Sequence, residues 1–167
     1  RITGATIALD VQGYVRVRRD DGRLEHAPWP ERESVLSRVD VVKADAVEAE
    51  AITGEANLER AARALAGVGP REVVLTHRDG MLVLADGQVY TAPFRPRQLV
   101  GRSGRGDTCL GSYTAMRLRA EPAEAILWSA AVTSLKMEAD GPFQSSTSEV
   151  EDLVARELGA TLEAPGR

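Results

Sequence analysis

The sequence predicts one α/β domain in which a largely parallel sheet is flanked by helices. Short apolar segments alternate with segments whose apolar residues recur at helical spacing, which is the pattern of a layered α/β protein. The early apolar segments contain few polar residues, as expected for strands that are covered on both faces. With 167 residues, of which 43% are apolar and 28% are charged, the chain is long enough to form one domain with its own core.

The first predicted element is a buried strand over residues 5–11, with Asp10 near its end. Periodicity alone also leaves a short helix open for so brief an apolar run. Residues 12–30 are mostly polar, and we assign to them only a turn at Asp21-Gly22. The next predicted element is a helix over residues 31–38.

The middle of the chain predicts two further parallel strands and an antiparallel hairpin at one side of the sheet. Asp45 is expected to begin a helix that Gly54 ends, and Asp86-Gly87 is a typical hairpin turn. The strands of this part are predicted at 39–44, 71–77, 80–86 and 88–94, and its helices at 46–53 and 56–69.

The remainder of the chain predicts three helices, with no internal repeat and no low-complexity segment. They are expected over 106–119, 122–137 and 148–158. Cys109 is expected to be a small core residue, and Trp29 and Trp128 are expected to pack in the interior.

Ligands of open α/β sheets bind beyond the carboxyl ends of the strands. Four polar or glycine-rich features are predicted at such ends: Asp10, Asp45, the turn 76–80 and the loop 101–107. We therefore expect these features to meet at one cleft.

Composition argues against several classes of protein. The formal net charge of −4 disfavours a general nucleic-acid binder, and no apolar run approaches the roughly 20 residues of a membrane span. The single cysteine excludes an intrachain disulfide, and the two histidines, His26 and His77, are too few for a usual Cys/His zinc site. Because no signal-peptide pattern is present either, we expect a cytoplasmic protein without nucleic-acid or membrane partners.

The loop 101–107, Gly-Arg-Ser-Gly-Arg-Gly-Asp, precedes a predicted helix. Glycines and a helix N-terminus together direct backbone N–H groups at one point, which favours an anion. Asp107 then has two open roles, helix capping or catalytic base in phosphoryl transfer. The loop is not a Walker-type P-loop, because no Gly-Lys-Ser/Thr follows at the required spacing. Its Arg-Gly-Asp tripeptide also suggests cell adhesion, but adhesion loops occupy exposed tips of secreted proteins.

The loop resembles the C-terminal signature of the ribokinase-like (PfkB) carbohydrate kinases, Asp-Thr-x-Gly-Ala-Gly-Asp. Gly104, Gly106 and Asp107 match its core, whereas Gly101, Arg102 and Arg105 replace the usual Asp, Thr and Ala. These departures indicate a divergent branch.

Two more segments resemble the same family in the same order. Residues 39–54 are similar to its strand, Asn-x-x-Glu and Thr-Gly unit, with Asp45 at the Asn and Glu48 at the Glu. Residues 73–90 resemble its Thr-x-Gly-x-x-Gly turn and hairpin, with Gly80 retained. The helix over 122–137 and the following Ala-Asp-Gly-Pro-Phe stand where the family closes its nucleotide pocket, so that the agreement in order extends over residues 5–143.

The resemblance implies a ribokinase-like fold and roles for individual residues. Asp107 would be the catalytic base, the backbone of Gly104, Arg105 and Gly106 would form the anion hole, and Glu48 would organise Mg²⁺ through water. ATP would be the donor, and the acceptor would be an alcohol of a sugar, polyol or nucleoside. The remaining implied contacts are Asp45, Thr76, His77, Arg78, Gly80, Ala130, Ala131 and Ser134 for the nucleotide, and Asp10 and Gln12 for the acceptor.

Several of these residues have plainer interpretations. Asp45 and Glu48 form the pattern of a capping box, which needs no metal. Arg78 either contacts phosphate or lies in a solvated turn. Arg105 and Arg102 either reach into the cleft or lie on the surface, and Asp10 and Gln12 end a strand that would otherwise face water.

By the same resemblance, family members are about twice as long, and the half that carries most of the sugar pocket and a small lid would precede this chain. We therefore expect residues 1–167 to be the nucleotide-binding and catalytic-base half of a kinase. It would associate with the other half or form a homodimer through an apolar sheet edge. The alternative is a non-catalytic nucleotide- or anion-binding module, or an inactive fragment.

Overall fold

The computed structural model describes residues 4–101 and 103–159. The strands within these residues are β1 Ala8–Asp10, β2 Arg16–Arg18, β3 Leu24–His26, β4 Val41–Asp45, β5 Glu72–Thr76, β6 Gly80–Ala85 and β7 Gln88–Pro93. The helices are α1 Gln12–Val15, α2 Arg32–Leu36, α3 Ala46–Thr53, α4 Leu58–Ala66, α5 Arg105–Arg117, α6 Pro122–Met137 and α7 Thr147–Leu153, which continues as a π-helical turn, Val154–Leu158. The alternation of strands and helices predicted from the sequence is confirmed.

The main sheet has the strand order β1-β4-β5-β6-β7. The strands β1, β4 and β5 are parallel, β6 is antiparallel to β5, and β7 is antiparallel to β6. Four of the five strands therefore run in the same direction, and the 80–94 hairpin is the predicted antiparallel addition. The register aligns Asp10 with Lys43 and Asp45 with Thr76, so that the ends of β1, β4 and β5 lie at one edge.

Helices cover both faces of this sheet. Alternate strand residues belong to two separate apolar clusters: Val74 and Val83 face α5 and α6, whereas Val73 and Leu75 face α3 and α4. Full burial of one such aliphatic side chain contributes about 1.5–3 kcal/mol. The two-sided cover explains why β4 and β5 contain so few polar residues.

Local signals in the sequence set the ends of the helices. Asp45 and Glu48 form a complete capping box at the start of α3, and Gly54 ends the helix with the left-handed φ of 76°. Pro122 stands in the first turn of α6, where its missing N–H costs nothing. The 16-residue α6 is buried along most of its length, yet no helix in the described parts of the chain has both the length and the hydropathy of a membrane span.

Residues 12–30 contain more regular structure than the sequence analysis assigned to them. They form α1 and a separate two-stranded antiparallel sheet of β2 and β3, in which Arg16 is opposite His26. The turn at Asp21-Gly22 is confirmed, with Gly22 at φ 84°. Residues Arg16–Arg18 alternate polar and apolar side chains just before the Asp-Gly turn, and this hairpin signal could have been recognised.

Candidate active site

The glycine loop leads directly into the first turn of α5. Gly104 is the N-cap residue in a left-handed conformation (φ 74°), and it provides no side chain to accept hydrogen bonds from the first turn. Arg105, Gly106 and Asp107 form that turn, whose N–H groups lack intrahelical acceptors. The helix dipole adds partial positive charge at the same point. The local geometry thus suits a bound anion.

A cavity of ≈ 400 Å³ lies in front of this turn. It forms because the carboxyl ends of β1 and β4 meet the N-terminus of α5 at one edge of the sheet. The cavity is lined by Gln12, Arg16, Lys43, Asp45, Ser103, Gly104, Arg105, Gly106 and Asp107. The predicted meeting of the first two strand ends with the glycine loop is therefore confirmed.

Lys43 is a site residue that the sequence analysis missed. Its side chain is 3% exposed, and its Nζ lies 2.9 Å from Asp10 Oδ2 and 3.9 Å from Glu48 Oε2. A β-carbon at position 106 would lie 2.7 Å from this Nζ and 3.0 Å from Asp10 Oδ2, so a larger residue than Gly106 would force these side chains to move. The signal was present, because Lys43 interrupts an otherwise apolar strand.

Asp10 is held by groups of the protein itself. Its Oδ1 accepts a hydrogen bond from Gln12 N at 2.9 Å, and its Oδ2 pairs with Lys43. The plain interpretation, a strand terminus facing water, is wrong for Asp10, because only 17% of its side chain is exposed. Gln12 is exposed and lines the cavity, which leaves its predicted acceptor contact sterically possible.

Asp45 and Glu48 form the capping box that the sequence suggested. Glu48 N donates to Asp45 Oδ1 at 2.8 Å, and Asp45 N donates to Glu48 Oε2 at 2.7 Å. Arg16 is another residue that the sequence analysis missed. Its Nη2 lies 2.8 Å from Asp45 Oδ2 and 3.1 Å from Glu48 Oε1. Burial raises the pKa of Glu48 above its ordinary value, although the Asp45 N–H and the Lys43 charge act in the opposite direction.

The magnesium role predicted for Glu48, through water, stays a prediction. The residue is 0% exposed, and its carboxylate faces Arg16, Lys43 and a backbone N–H instead of a solvent-filled space. Nor does any group of three or more His, Cys, Asp or Glu side chains in residues 4–101 and 103–159 have an arrangement that could hold a metal ion. Any Mg²⁺ bound by the described residues would therefore use fewer than three such side chains, together with water or substrate phosphates.

The turn 76–80 lies at the same sheet edge but outside the lining of the cavity. Thr76 is buried, and His77 Nδ1 accepts a hydrogen bond from Asp79 N at 3.3 Å. The Arg78 side chain is 86% exposed, as its interpretation as part of a solvated turn requires. Gly80 has a packing role, since a β-carbon there would lie 2.5 Å from the carbonyl oxygen of Ala92.

The residues predicted to contact adenine lie on the buried side of α6. Ala130, Ala131 and Ser134 are each 0% exposed, so the predicted contact is not available to their side chains. Ser134 Oγ donates to the Ala130 carbonyl at 2.6 Å and accepts from Arg95 N at 2.8 Å. The sequence could not reveal this orientation, because α6 is apolar around most of its circumference.

The opposite side of α6 contributes to a second cavity of ≈ 360 Å³. Its apolar lining includes Trp128, Val132 and Phe143, and Asp107 lines both this cavity and the first one. Trp128 is therefore only partly the packing residue that was expected, whereas Trp29 is buried and stacks on Tyr14 with ring centroids 4.4 Å apart. Cys109 is a buried core residue, as predicted.

The Arg-Gly-Asp tripeptide belongs to the first turn of α5 and does not form a loop tip, so its interpretation as an adhesion motif is wrong. Arg105 lines the cavity, and its Cζ lies 5.9 Å from the centre of the Phe94 ring, a cation–π distance. Arg102, for which the sequence left the same two roles open, lies outside the described residues.

Comparison with known proteins agrees with this architecture. Residues 20–147 match the pfkB family of carbohydrate kinases. The chain is 33% identical over 93 residues to a cytidine kinase from Thermococcus kodakarensis, an alignment that covers 54% of this chain and 34% of that protein.

Solved structures show the same fold. A pyrophosphate-dependent kinase of the ribokinase family, in complex with a pyrophosphate analogue and myo-inositol, is 36% identical with a TM-score of 0.78; the match covers 90% of this chain and 53% of the other. The ribokinase of Thermotoga maritima is 18% identical with a TM-score of 0.71, and the match covers 92% of this chain and 50% of the ribokinase chain. At this identity the likeness supports the fold alone. The predicted ribokinase-like fold is confirmed, and the chain spans about half the length of these relatives.

Proposed function

The chain belongs to the pfkB family of carbohydrate kinases, and we propose that the full-length protein transfers a phosphoryl group from a phosphoanhydride donor to an alcohol. One observation carries this proposal: the first turn of α5, capped only by the backbone of Gly104, opens onto a cavity that it shares with Asp107. An anion site next to a carboxylate is what phosphoryl transfer to a hydroxyl requires.

The anion site would hold the phosphoryl group that is transferred. N–H groups of the first turn lie at fixed positions, so they stabilise developing negative charge without having to reorganise. Arg16 and Arg105 also line the cavity and add positive charge. The single removal of such a donor in other enzymes typically costs about 10²–10³-fold in rate.

Asp107 is the proposed general base. Its side chain is exposed, it makes no capping hydrogen bond, and it lines both cavities. A carboxylate in that position can accept the proton of an acceptor hydroxyl as the hydroxyl oxygen attacks the phosphorus atom. General-base catalysis of this kind contributes about 10²–10⁴-fold.

ATP is the proposed donor, as in the sequence analysis. The second cavity offers a site for the adenine ring of ATP, because Trp128, Val132 and Phe143 provide apolar and aromatic surface next to Asp107. Mg²⁺ is proposed as the counter-ion that accompanies the donor, since it is usually held by substrate phosphates and few protein groups.

Inorganic pyrophosphate is a second candidate donor, and a specific observation favours it. The α6 residues expected to contact adenine have no exposed surface, whereas the first cavity is lined by three cationic side chains, Arg16, Lys43 and Arg105, beside the carboxylates of Asp45 and Asp107. Pyrophosphate has no adenine ring, so it would be bound through such cationic side chains and would not need an adenine pocket. A pyrophosphate-dependent kinase is also among the similar structures.

The acceptor is proposed to be a cyclic polyol or a nucleoside. The similar proteins include a kinase bound to myo-inositol and a kinase of cytidine. Gln12 is the exposed amide in the first cavity and the residue we propose to hydrogen-bond an acceptor hydroxyl.

The remainder of the acceptor site is proposed to lie across the exposed edge of β1. Among the described residues β1 pairs only with β4, and Ile7 beside it is 39% exposed. Association with another protein segment or with a second copy would cover this edge. A cytoplasmic location remains a prediction from the sequence.

A matrix of donors and acceptors tests the proposal in the full-length protein. ATP and pyrophosphate are titrated calorimetrically with and without Mg²⁺, and phosphorylation of myo-inositol, cytidine and ribose is then followed by mass spectrometry. We expect one donor to bind in a magnesium-dependent manner and one acceptor to gain a phosphate. Donor binding without transfer to any alcohol would favour a non-catalytic anion-binding module. Failure of a folded protein to bind either donor would contradict the proposal.

A further inference from the structure

We propose that Lys43 is the fixed cation of the anion site and donates a hydrogen bond to the phosphoryl group held at Gly104–Gly106. The inference rests on the proposed function, because it assigns a residue to the same phosphoryl-transfer site. The sequence marks Lys43 only as a charge in an otherwise apolar strand, and its proposed role follows from its position in the structure.

The burial of Lys43 is unusual for its residue type. It lies in the middle of β4, between Val42 and Ala44, which are both 0% exposed, and its own side chain is 3% exposed. Lysine is almost never buried unless it is paired, because removal of a charge from water is costly. A buried charge at a cavity wall therefore calls for a specific partner or a specific task.

Two carboxylates fix the ammonium group without using all of its donors. Asp10 Oδ2 lies 2.9 Å from Nζ, whereas Glu48 Oε2 lies at 3.9 Å, beyond hydrogen-bond distance. An ammonium group has three N–H donors. With these partners, donor capacity remains for a ligand in the cavity that Lys43 lines.

Gly106 leaves the ammonium group accessible from the loop. A β-carbon at position 106 would lie 2.7 Å from Nζ and 3.4 Å from Cε, and it would stand between Lys43 and the backbone of the first turn. With glycine there, the ammonium group lies next to the backbone of the first turn, and both line the cavity that would hold the phosphoryl group. Such charge-assisted hydrogen bonds to phosphate are about twice as strong as neutral ones.

A purely structural role is the competing explanation, in which Lys43 only neutralises Asp10 and Glu48. The two roles separate in a charge-balanced double variant. Lys43→Met alone leaves buried carboxylates without their cation and can prevent folding. Lys43→Met combined with Asp10→Asn removes both members of the 2.9 Å ion pair with side chains of similar size, and its reference is the single Asp10→Asn variant.

The experiment measures pyrophosphate and ATP binding calorimetrically in the full-length protein. We expect the double variant to melt near the temperature of Asp10→Asn but to bind the donor at least tenfold more weakly, with Lys43→Arg in between. The control is a second double variant, Glu72→Gln with Arg117→Met, which neutralises an ion pair outside the cavity. We expect this variant to bind the donor as the wild type does.

Two results separate this inference from the proposed function. If the double variant binds the donor as tightly as Asp10→Asn, while the wild type binds and transfers, the Lys43 assignment is overturned and the proposed function remains. If the folded wild-type protein binds neither donor, both the Lys43 assignment and the proposed function are overturned.

Discussion

Gly106 packs directly against the ammonium group of Lys43, at a separation that leaves no room for a β-carbon. The two residues come from different parts of the chain, a helix N-terminus and the middle of a buried strand. Their contact joins the glycine loop to the sheet. It explains physically why a small residue occupies this position, because Gly106 does not have a positive φ.

The first prediction concerns this contact. Gly106→Ala should lower the free energy of unfolding by about 1–3 kcal/mol, because the added methyl group overlaps a buried side chain, and should weaken donor binding more than tenfold. Chemical denaturation and calorimetry measure the two effects. Gly67→Ala is the matched control, because its β-carbon would meet atoms only at 3.4 Å and beyond. Unchanged donor affinity in Gly106→Ala would show that the Lys43–Gly106 contact does not shape the site.

The second prediction separates packing from ligand binding at Gly80. A β-carbon there would meet the Ala92 carbonyl oxygen at 2.5 Å and Pro93 Cα at 3.0 Å. Because both are backbone atoms, they cannot rotate away, and Gly80→Ala should destabilise the fold by about 1–3 kcal/mol or more. Donor affinity of the folded fraction should remain the same. Normal stability with lost donor binding would instead assign Gly80 to the site.

The third prediction concerns a polar network far from the cavity. Tyr113 Oη donates to Glu72 Oε2 at 2.6 Å, and Arg117 Nη2 donates to Glu72 Oε1 at 2.8 Å. Burial and the adjacent Glu72 raise the pKa of Tyr113 well above its ordinary value, which keeps the phenol protonated. Tyr113→Phe should cost about 0.5–1.5 kcal/mol in urea denaturation and leave donor binding unchanged. A loss of donor affinity would show that this network communicates with the site.

The fourth prediction is a pH dependence. Arg97 donates to Glu138 from its backbone N at 2.8 Å and from Nη2 at 2.8 Å, which ties the segment before the glycine loop to the end of α6. Burial alone would raise the pKa of Glu138, but the hydrogen bonds from Arg97 outweigh burial and hold this pKa below its ordinary value. A carboxylate with a lowered pKa stabilises the fold above its unfolded pKa, and this stability is lost as the pH falls through the folded pKa.

Glu138→Gln should therefore reduce the free energy of unfolding at pH 7 by less than about 1 kcal/mol, since Arg97 is largely exposed. The difference from the wild type should shrink on acidification below about pH 4, near the ordinary glutamate pKa. Urea denaturation between pH 3 and pH 7 measures it, and exposed Glu50→Gln serves as the control. A difference that grows on acidification would have the wrong sign.

The sequence predicted those elements best whose ends carry their own signals. The helix α3 was placed correctly because Asp45, Glu48 and Gly54 specify its caps through local hydrogen bonds and one left-handed residue. The first strand was predicted too long, at 5–11. It begins at Ala8, opposite the first residue of β4, and it ends at Asp10, opposite Lys43, because α1 begins at Gln12. Apolar composition does not reveal where these ends occur.

The candidate site was predictable where one contiguous motif forms it, as at Gly104, Gly106 and Asp107. Lys43 and Arg16 were missed because their roles depend on partners distant in sequence; Arg16 reaches Asp45 from 29 positions away. Ala130 was assigned to the nucleotide by the family resemblance, and helical spacing could not correct this, because it does not show which side of an apolar helix faces a cleft. Long-range pairing and helix orientation therefore limited the sequence analysis, and local propensity did not.

The most direct test of the central claim is a single-turnover measurement of phosphoryl transfer by the full-length protein and by its Asp107→Asn variant. The control is Asp152→Asn, a change at an exposed residue of α7. The proposed function predicts that Asp107→Asn slows transfer by about 10²–10⁴-fold. Donor affinity should stay within a factor of about three of the wild-type value, the usual scatter of single-site effects. Asp152→Asn should behave as the wild type. Transfer at the wild-type rate in Asp107→Asn would contradict the assignment of Asp107 as the base.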